Sequence, residues 1–342
     1  MRIRAVSKLI GGEILAEAIL TREKEILIPK GTELKSEYIP LIQSLEIESL
    51  MLEDPYEDYE KPHFIIQEDS IKKYTESVRK LMEGHIYHEN DKSLKIFEVI
   101  ANDIVKEINS STAEAILDMK ERSSNLYEHT VMVTLLSVLV GKKLKLDEQR
   151  LYNLALGCLL HDIGLRYVTI PYEGRDLTTV EPAEMFEYKK HTILGYSALQ
   201  DEAWIPQISR KMILSHHENM EGTGFPMKQK YKETECRIIQ ACDAFDCYIS
   251  GMECKRMSVQ EALNIMIENA GKKYDKAVVD NLVSTVAKYP VGTTVKTNVE
   301  ERGVVISQTV DPENPIIMIL NTDECSERNL MLEENISILG VV

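Results

Sequence analysis

The sequence predicts a mainly α-helical protein, with a small α+β module at the N-terminus and a short β-rich segment at the C-terminus. Apolar residues recur at helical spacing through the centre of the 342-residue chain, as they do over residues 151–160. Towards both ends the pattern changes to short runs of apolar and β-branched residues, such as 26–28 and 303–307. These two patterns indicate a helical domain with β structure before and after it.

The first elements belong to a predicted N-terminal module, residues 1–55. It combines the β-like run at 26–28 with one amphipathic helix over 36–45. The stretch 54–62 is acidic and contains a proline near each end, a composition that is typical of a linker. We therefore assign residues 56–114 to an acidic linker and connecting helices.

The second connecting helix carries isoleucines at four-residue spacing, which places them on one stripe: Ile96, Ile100, Ile104 and Ile108. This stripe indicates packing in a core or at a homodimer interface rather than a ligand site. The helical domain is predicted over residues 115–290, and capping-box patterns at 111–114 and 258–261 predict two helix starts. Residues 291–342 form the predicted β-rich segment.

The composition is that of a globular protein, with 44% hydrophobic and 28% charged residues. No apolar run approaches the roughly 18 residues of a membrane span, and the first residues lack the apolar core of a signal peptide. The formal charge of −16 argues against a duplex nucleic acid partner, because lysine and arginine drive phosphate binding. The six cysteines form no Cys-x-x-Cys pair, which excludes a zinc knuckle and fits the reducing cytoplasm. We therefore expect a cytoplasmic protein with no membrane partner.

Five of the eight histidines lie in the predicted helical domain, on or beside helical patterns: His129, His161, His191, His216 and His217. His161 is followed directly by Asp162. Imidazole and carboxylate groups are ligands of transition metals, and the carboxylate of such a pair can bridge to a second metal. The pattern therefore predicts the layout of a two-metal hydrolase.

A single histidine is more often a surface residue or a hydrogen-bonded core residue than a metal ligand. Here, however, several polar residues close strongly apolar helices. His161 and Asp162 follow the apolar run at 151–160, and residues 216–218 follow another run at 208–214. A charged residue in such a place is costly unless it is paired or bound to a metal. The set as a whole therefore favours metal binding.

Longer motifs around these histidines resemble the HD-GYP branch of the HD phosphohydrolases. They read His-Asp-Ile-Gly at 161–164, Lys-His-Thr-Ile-Leu-Gly at 190–195, and His-His-Glu-Asn-Met-Glu-Gly-Thr-Gly-Phe-Pro at 216–226. Asp243 follows in a Cys-Asp-Ala-Phe-Asp motif that also matches. The resemblance covers about residues 115 to 300 and is specific because its parts agree in order and spacing. The N-terminal module also resembles the small module that often precedes this domain.

The resemblance implies an all-helical HD-type metallohydrolase bundle with two or three metals, usually iron or manganese. The first ligand group would consist of His129, His161, Asp162 and Asp243. The second ligand group would share Asp162 and add His191, His216 and His217, with the division of the last pair left open. Family members with three metals have a glutamate where this chain has Asn125. We therefore expect two divalent transition metals, iron or manganese.

The resemblance also implies hydrolysis of cyclic di-GMP in bacterial second-messenger signalling. Asp162 and His161 would be the catalytic residues, because a hydroxide that bridges the two metals would attack the phosphodiester. The residues implied to bind the substrate are Lys190, Lys255 and four residues of the Gly-Phe-Pro loop (residues 222–226), namely Gly222, Gly224, Phe225 and Pro226. In the family this loop is also proposed as a surface for a signalling protein partner. Glu218 and Asp246 are expected either to orient ligands or to be surface carboxylates.

Three residues depart from the family pattern. Leu165 stands where a lysine normally follows the His-Asp-x-Gly motif, Met252 stands where an arginine is expected, and Phe225 replaces a tyrosine. The two lost cations would weaken electrostatic stabilisation of the phosphate transition state, although the cation at Lys255 is kept. Phe225 can still stack on another ring but cannot donate a hydroxyl hydrogen bond.

Three functions are consistent with these residues. The first is a metal-dependent cyclic dinucleotide phosphodiesterase. The second is an intact metal centre with another phosphoester substrate, such as a nucleotide monoester, which Leu165 and Met252 favour. The third is a weakly active scaffold that binds a partner protein through the Gly-Phe-Pro loop.

Overall fold

A computed structural model describes residues 2–9, 11–20, 26–45, 47, 49–53, 66, 68–87, 92–110, 116–320, 326–333 and 335–342. The chain forms two compact units. One consists of residues 64–286, and the other combines residues 1–63 with residues 287–342. The predicted boundaries near residues 55, 114 and 290 stay predictions, and the predicted linker at 54–62 lies outside the described residues.

In its described residues, the N-terminal part of the unit that combines 1–63 with 287–342 contains four short strands and one short α-helix. They are β1 (Arg2–Ala5), β2 (Ile19–Leu20), β3 (Ile26–Ile28), α1 (Ile39–Ser44) and β4 (Ser49–Leu52). β1 pairs with β4 and β2 pairs with β3, both in antiparallel register. A small core of aliphatic side chains, including Leu15, Leu34, Ile42 and Leu52, packs between these elements.

The C-terminal part of the same unit is an antiparallel sheet of five described strands. They are β5 (Thr294–Thr297), β6 (Arg302–Ser307), β7 (Ile316–Ile319), β8 (Ser326–Asn329) and β9 (Ile338–Val341). The strand order is β8-β7-β6-β5-β9, and buried Val295, Val305 and Ile317 belong to its core. The β-rich C-terminal segment predicted from the sequence is confirmed.

The unit of residues 64–286 is helical. Its helices are α2 (Glu68–Tyr87), α3 (Ile96–Ser110), α4 (Leu126–Lys143), α5 (Glu148–Leu160), α6 (Pro182–Lys189), α7 (His191–Ala198), α8 (Gln207–Ser215), α9 (Thr234–Ser250), α10 (Val259–Glu268) and α11 (Lys276–Val283). Two 3₁₀ segments, Lys92–Lys95 and Ile163–Tyr167, complete the set of described helical elements. The mainly α fold is therefore confirmed. None of the described helices is both long enough and apolar enough to cross a membrane.

Helix α4 lies at the centre of this unit, packed against α5 and α9, and most of its side chains are buried. Its start is capped by Asn125, whose side chain accepts hydrogen bonds from the backbone amides of Tyr127 and Glu128. Gly141 follows the apolar run of this helix and precedes two lysines, a pattern that predicts a helix end, but the helix continues to Lys143. A Cβ atom on Gly141 would lie 2.9 Å from Leu154 Cδ2, so this glycine allows close packing between helices and does not end α4.

Two other expectations have clear outcomes. Ile100, Ile104 and Ile108 of α3 are buried in the core of this unit, so this part of the stripe packs in a core, whereas Ile96 at the start of α3 is 49% exposed. Ser258 forms the predicted capping box at the start of α10. The capping pattern at 111–114 lies outside the described residues, and the next described helix begins only at Leu126.

Candidate metal centre

Three of the candidate histidines lie where helices end or meet. His161 follows α5, His216 follows α8, and His191 begins α7, which is separated from α6 by one residue. In each case the ring Nδ1 faces the backbone carbonyl oxygen of the residue three positions earlier. These carbonyls belong to Cys158, Tyr188 and Ile213, at 2.6, 2.8 and 2.9 Å from Nδ1. Because a carbonyl only accepts, Nδ1 must donate its proton, and Nε2 keeps the lone pair that a metal requires.

His129 lies in the first turns of α4. Its Nδ1 donates to a carboxylate instead of a backbone carbonyl. Its Nδ1 lies 2.7 Å from Oδ2 of Asp246, a fully buried residue of α9. Nη2 of Arg122 donates to both oxygens of Asp246, at 2.7 and 2.6 Å. Burial alone would lower the pKa of His129, but hydrogen bonds to Asp243 and Asp246 outweigh it and raise the pKa to about 9. Asp246 therefore orients the ring of His129 and is not a surface carboxylate.

The first ligand group is compact. His129 Nε2 lies 3.1 Å from Asp243 Oδ1, 3.5 Å from Asp162 Oδ2 and 3.3 Å from His161 Nε2. His161 Nε2 lies 3.3 Å from Asp162 Oδ2 and 3.5 Å from Asp243 Oδ1. Ligand atoms about 2.1 Å from one metal ion are separated by roughly this distance. All four side chains are buried.

The second ligand group gathers around the other oxygen of Asp162. Asp162 Oδ1 lies 3.5 Å from His191 Nε2 and 3.4 Å from His216 Nε2, and these two nitrogens are 3.0 Å apart. With His217, these residues can bring four ligand atoms within 4.8 Å of one another. Asp162 Oδ1 is buried and accepts no hydrogen bond within the described chain. An ionised oxygen in this position is costly unless a cation binds it, so the donor set fits a metal.

His217 differs from the other four histidines. Its Nδ1 faces Asp243 Oδ2 at 3.8 Å, and its Nε2 lies 3.2 Å from Oε1 of Glu253. The hydroxyl of Tyr188 also donates to that carboxylate oxygen. His216 therefore faces Asp162, whereas His217 lies between Asp243 and Glu253. The two adjacent histidines thus face different carboxylates. Glu253 carries no motif in the sequence and was not expected at this centre.

The pKa values of Asp162 and His191 are shifted in the directions that metal binding requires, whereas those of His129 and His161 are raised, so a metal must displace a proton from these two rings. Burial would raise the pKa of Asp162, but the neighbouring charge of His161 outweighs it and holds the pKa well below its ordinary value. Burial lowers the pKa of His191, and the charge of His217 lowers it further. At neutral pH the carboxylate is therefore ionised and His191 is neutral, which are the protonation states that bind metal.

The Gly-Phe-Pro loop lies directly against the second ligand group. A Cβ atom on Gly224 would come within 2.3 Å of the carbonyl oxygen of His217, so only glycine fits there. The Phe225 amide donates to the same carbonyl, and the Phe225 ring stacks on the His217 ring with centroids 4.5 Å apart. Gly222 has a φ of +76°, and the peptide bond between Phe225 and Pro226 is cis.

Glu218 holds the end of this loop. Its buried carboxylate accepts hydrogen bonds from the backbone amides of Met227 and Gln229, at 2.6 and 3.1 Å. Glu218 is therefore not a surface carboxylate, and its oxygens bind the loop backbone instead of facing the proposed ligands. It fixes the chain that presents Phe225.

The predicted substrate cations have different surroundings. Lys190 pairs with Glu187 at 2.5 Å, and its Nζ lies over the ring of Phe186. Lys255 is exposed in the segment after α9. Leu165 and Met252 are buried in the hydrophobic core, with 2% and 0% of their surface exposed. Packing is therefore the physical reason why these two positions are apolar.

The structure brings all seven predicted ligands into one cluster, and it adds Arg122 and Glu253. Arg122 lies in the non-helical segment before α4, and Glu253 lies just after α9. Neither position has a periodic pattern or a ligand-type motif around it, so the sequence carried no signal for their contacts.

Comparisons with known proteins agree with this geometry. Residues 104–278 match the family model described as HD domain. Cyclic di-GMP phosphodiesterase PA4108 of Pseudomonas aeruginosa is 29% identical over 61% of this chain and 52% of its own length. Cyclic di-GMP phosphodiesterase PdeB of Borreliella burgdorferi is 27% identical over 56% of this chain and 51% of its own length. The chain therefore spans about half the length of these curated relatives.

Among solved structures, Bd1817, an HDG"Y"P protein from Bdellovibrio bacteriovorus, is similar with a TM-score of 0.56 and 20% sequence identity. The similarity covers 82% of this chain and 97% of that chain. At 20% sequence identity, this similarity supports the fold and not the function. The predicted HD-type helical fold is confirmed.

Proposed function

Because the chain belongs to the HD domain family, we propose that it is a metal-dependent phosphodiesterase that hydrolyses a cyclic dinucleotide, most readily cyclic di-GMP. The curated relatives that support this substrate are named cyclic di-GMP phosphodiesterases. The observation that carries the proposal is the position of Asp162, whose two oxygens face two separate groups of histidine nitrogens. A carboxylate in this position is suited to bridge two metals.

HD domains bind divalent metal, and we propose two ions per chain, iron or manganese. The donor set consists of five imidazoles and two carboxylates, which favours these metals over magnesium. Asn125 supports two ions over three, because its side-chain oxygen already caps α4 through the amides of Tyr127 and Glu128. The proposed ligands are those of the first and second ligand groups.

When bound, two such ions activate a water molecule and neutralise the oxygens of a phosphodiester. The chain's own residues hold the ligand set in one arrangement. The carbonyls of Cys158, Tyr188 and Ile213 and the carboxylate of Asp246 keep the proton on Nδ1 of four rings. Asp162 and His161 are the proposed catalytic residues, since Asp162 joins the two groups and His161 is its immediate neighbour.

The proposed substrate-binding residues are Lys190, Lys255 and the Gly-Phe-Pro loop. The loop is the best supported of these, because Phe225 covers one face of His217 and thereby borders the second ligand group. Glu218 and the glycine at 224 keep the loop close to the ligands. A base or ribose that approaches the cluster from this side would meet the ring of Phe225.

Anaerobic purification followed by metal analysis and chromatography of the products from cyclic di-GMP tests this function. We expect about two metal ions per chain and conversion to a linear dinucleotide or GMP, as a two-metal centre predicts. Asp162→Asn is the matched variant, because it keeps the shape of the side chain and removes its charge. It should lose metal and activity together.

Two results would contradict the proposal and identify an alternative. A metal-loaded protein that leaves cyclic di-GMP intact but cleaves a nucleotide monoester would have another substrate. A folded protein without metal would instead be a scaffold, and the Gly-Phe-Pro loop would then be the surface to test for a protein partner.

A further inference from the structure

Two arginines on neighbouring segments of the helical unit, Arg79 and Arg166, have no anionic partner among the described residues. Arg79 belongs to α2, Arg166 belongs to the 3₁₀ segment Ile163–Tyr167, and α2 packs against that segment. The Nε atom of each is buried without a hydrogen-bond partner, and neither guanidinium forms an ion pair with the part of the chain that the structure describes. Both side chains are half-buried, and a buried Nε–H group that lacks an acceptor is costly. A shortage of carboxylates does not explain the missing ion pairs, since the chain has 56 acidic and 40 basic residues.

Tyr127 connects the two arginines. The Cζ atom of Arg79 lies 5.3 Å from the centroid of the Tyr127 ring, and the Tyr127 hydroxyl donates to Glu83 Oε1 at 3.0 Å. Burial raises the pKa of Tyr127 to about 12, and the positive charge of Arg166 acts against that rise. Both guanidinium groups are therefore close to one side chain.

The neighbouring carboxylates already have other donors. Glu83 accepts the Tyr127 hydroxyl, and Glu173 Oε1 accepts the backbone amide of Leu126 at 2.8 Å. Both raise the pKa of Tyr127, so they lie in the same region. Neither of these two carboxylates forms a direct ion pair with Arg79 or Arg166.

Arg166 also lies towards the candidate metal centre. It follows Asp162 by four residues, and both act on Tyr172. Burial is the main cause that raises the pKa of Tyr172, the charge of Asp162 raises it further, and Arg166 opposes the rise. The Tyr172 ring lies 6.5 Å from the Tyr188 ring, which is 4.8 Å from that of His191. The segment Ile163–Tyr167, which carries Arg166, also packs against α7, and α7 begins at His191 of the second ligand group.

We propose that Arg166, assisted by Arg79, binds a phosphate group of the substrate beside the metal centre. This inference rests on the proposed function, which supplies a substrate with two phosphates: one at the metals and the other at this subsite. A guanidinium forms two parallel hydrogen bonds to phosphate oxygens, and such charge-assisted bonds are strong. Arg166 would then supply the positive charge that Leu165, one position earlier, does not.

The test compares Arg166→Gln and Arg166→Lys with wild type in the full-length, metal-loaded protein. Arg166→Gln should raise KM for cyclic di-GMP about tenfold, because it removes charge-assisted hydrogen bonds. Its kcat should change little, since the bound phosphate is not the one attacked. Arg166→Lys should recover part of the loss. Arg175→Gln is the matched control, because Arg175 is paired with Glu184, and it should leave KM unchanged.

Thermal melts with and without inorganic phosphate give a readout that does not depend on turnover. Without phosphate, Arg166→Gln should melt at or above wild type, because it removes a charge that has no partner. With phosphate, wild type should gain more in Tm than the variant. If wild type hydrolyses no cyclic di-GMP but this difference persists, the subsite stands and the proposed function fails. Equal KM and equal phosphate protection, or a lower Tm of Arg166→Gln without phosphate, would overturn the subsite.

Discussion

Gly164 lies against the backbone of His191 so closely that a Cβ atom at this glycine would be 1.9 Å from the His191 carbonyl oxygen. It would also be 2.6 Å from the backbone nitrogen of Gly195. The contact joins the segment Ile163–Tyr167 to α7. Because Asp162 directly precedes this segment and His191 begins α7, the same contact brings two members of the second ligand group together.

Gly164→Ala should therefore destabilise the protein and loosen the second ligand group. The added methyl group meets backbone atoms, which cannot rotate away, so we expect a loss of about 1–3 kcal/mol or more. Thermal melts and metal content measure the two effects. Gly340→Ala is the control, because a Cβ there meets nothing within 4 Å, and it should melt like wild type. Equal Tm and metal content in both variants would show that the contact does not constrain the centre.

Single substitutions should separate a shared ligand from an unshared one. Asp162→Ala should lower the metal content at both groups, since its two oxygens face different histidines. His191→Ala removes a ligand that faces only the second group, so about one metal per chain should remain, as expected for one intact site. Asp201→Ala, at an exposed position, should keep the wild-type content. If Asp162→Ala keeps two metals per chain, the assignment of a bridging carboxylate is wrong.

Metal-free protein should lose stability as the pH rises. The pKa of His129 is raised from 6.5 to about 9 by Asp243 and Asp246, against the effect of burial. A raised pKa stabilises the folded state fully below pH 6.5, and this contribution is lost as the pH passes through about 9. The pKa of His161 is also raised, so it acts with the same sign. The loss from His129 alone is about 3 kcal/mol.

Urea unfolding of the metal-free protein between pH 6 and about pH 8.5 measures most of this loss. Above that pH the buried cysteines, whose pKa values are raised by burial, would make stability fall with or without metal. The metal-loaded protein is the comparison, because a metal replaces the proton on the ligand nitrogen and should remove most of the dependence. A metal-free protein whose free energy of unfolding is constant over this range would contradict the role of the ring proton.

Part of the proposed ligand set could be predicted from the sequence because His161, Asp162, His216 and His217 follow apolar helical patterns, whereas the complete set came from the family resemblance. His161 and His216 follow helices whose last turns contain buried apolar residues, and that local contrast is visible without the fold. Arg122 and Glu253 could not be predicted, because their contacts join segments that are distant in the chain. Arg122 lies 124 residues before Asp246, and only the packing of the segment before α4 against α9 brings them together.

The distinction between local and long-range contacts also determines which features of the fold could be predicted. Ser258 and Asn125 act through hydrogen bonds to residues two or three positions away, so a local pattern can predict such caps. The end of α4 depends on Gly141 and its contact with Leu154 of α5, which is a tertiary contact. A glycine in the sequence does not by itself distinguish a helix end from close packing.

Restoring the two cations expected from the family should reduce stability without raising activity. Leu165 and Met252 are buried in the apolar core, so a lysine or arginine there would be a charge without a partner and should cost about 3–5 kcal/mol. Thermal melts and steady-state rates of Leu165→Lys and Met252→Arg with cyclic di-GMP measure both effects. Leu165→Met keeps volume and polarity, and its Tm should fall little. A gain in turnover by either cation variant at an unchanged Tm would mean that the position faces the phosphate, against the packing seen here.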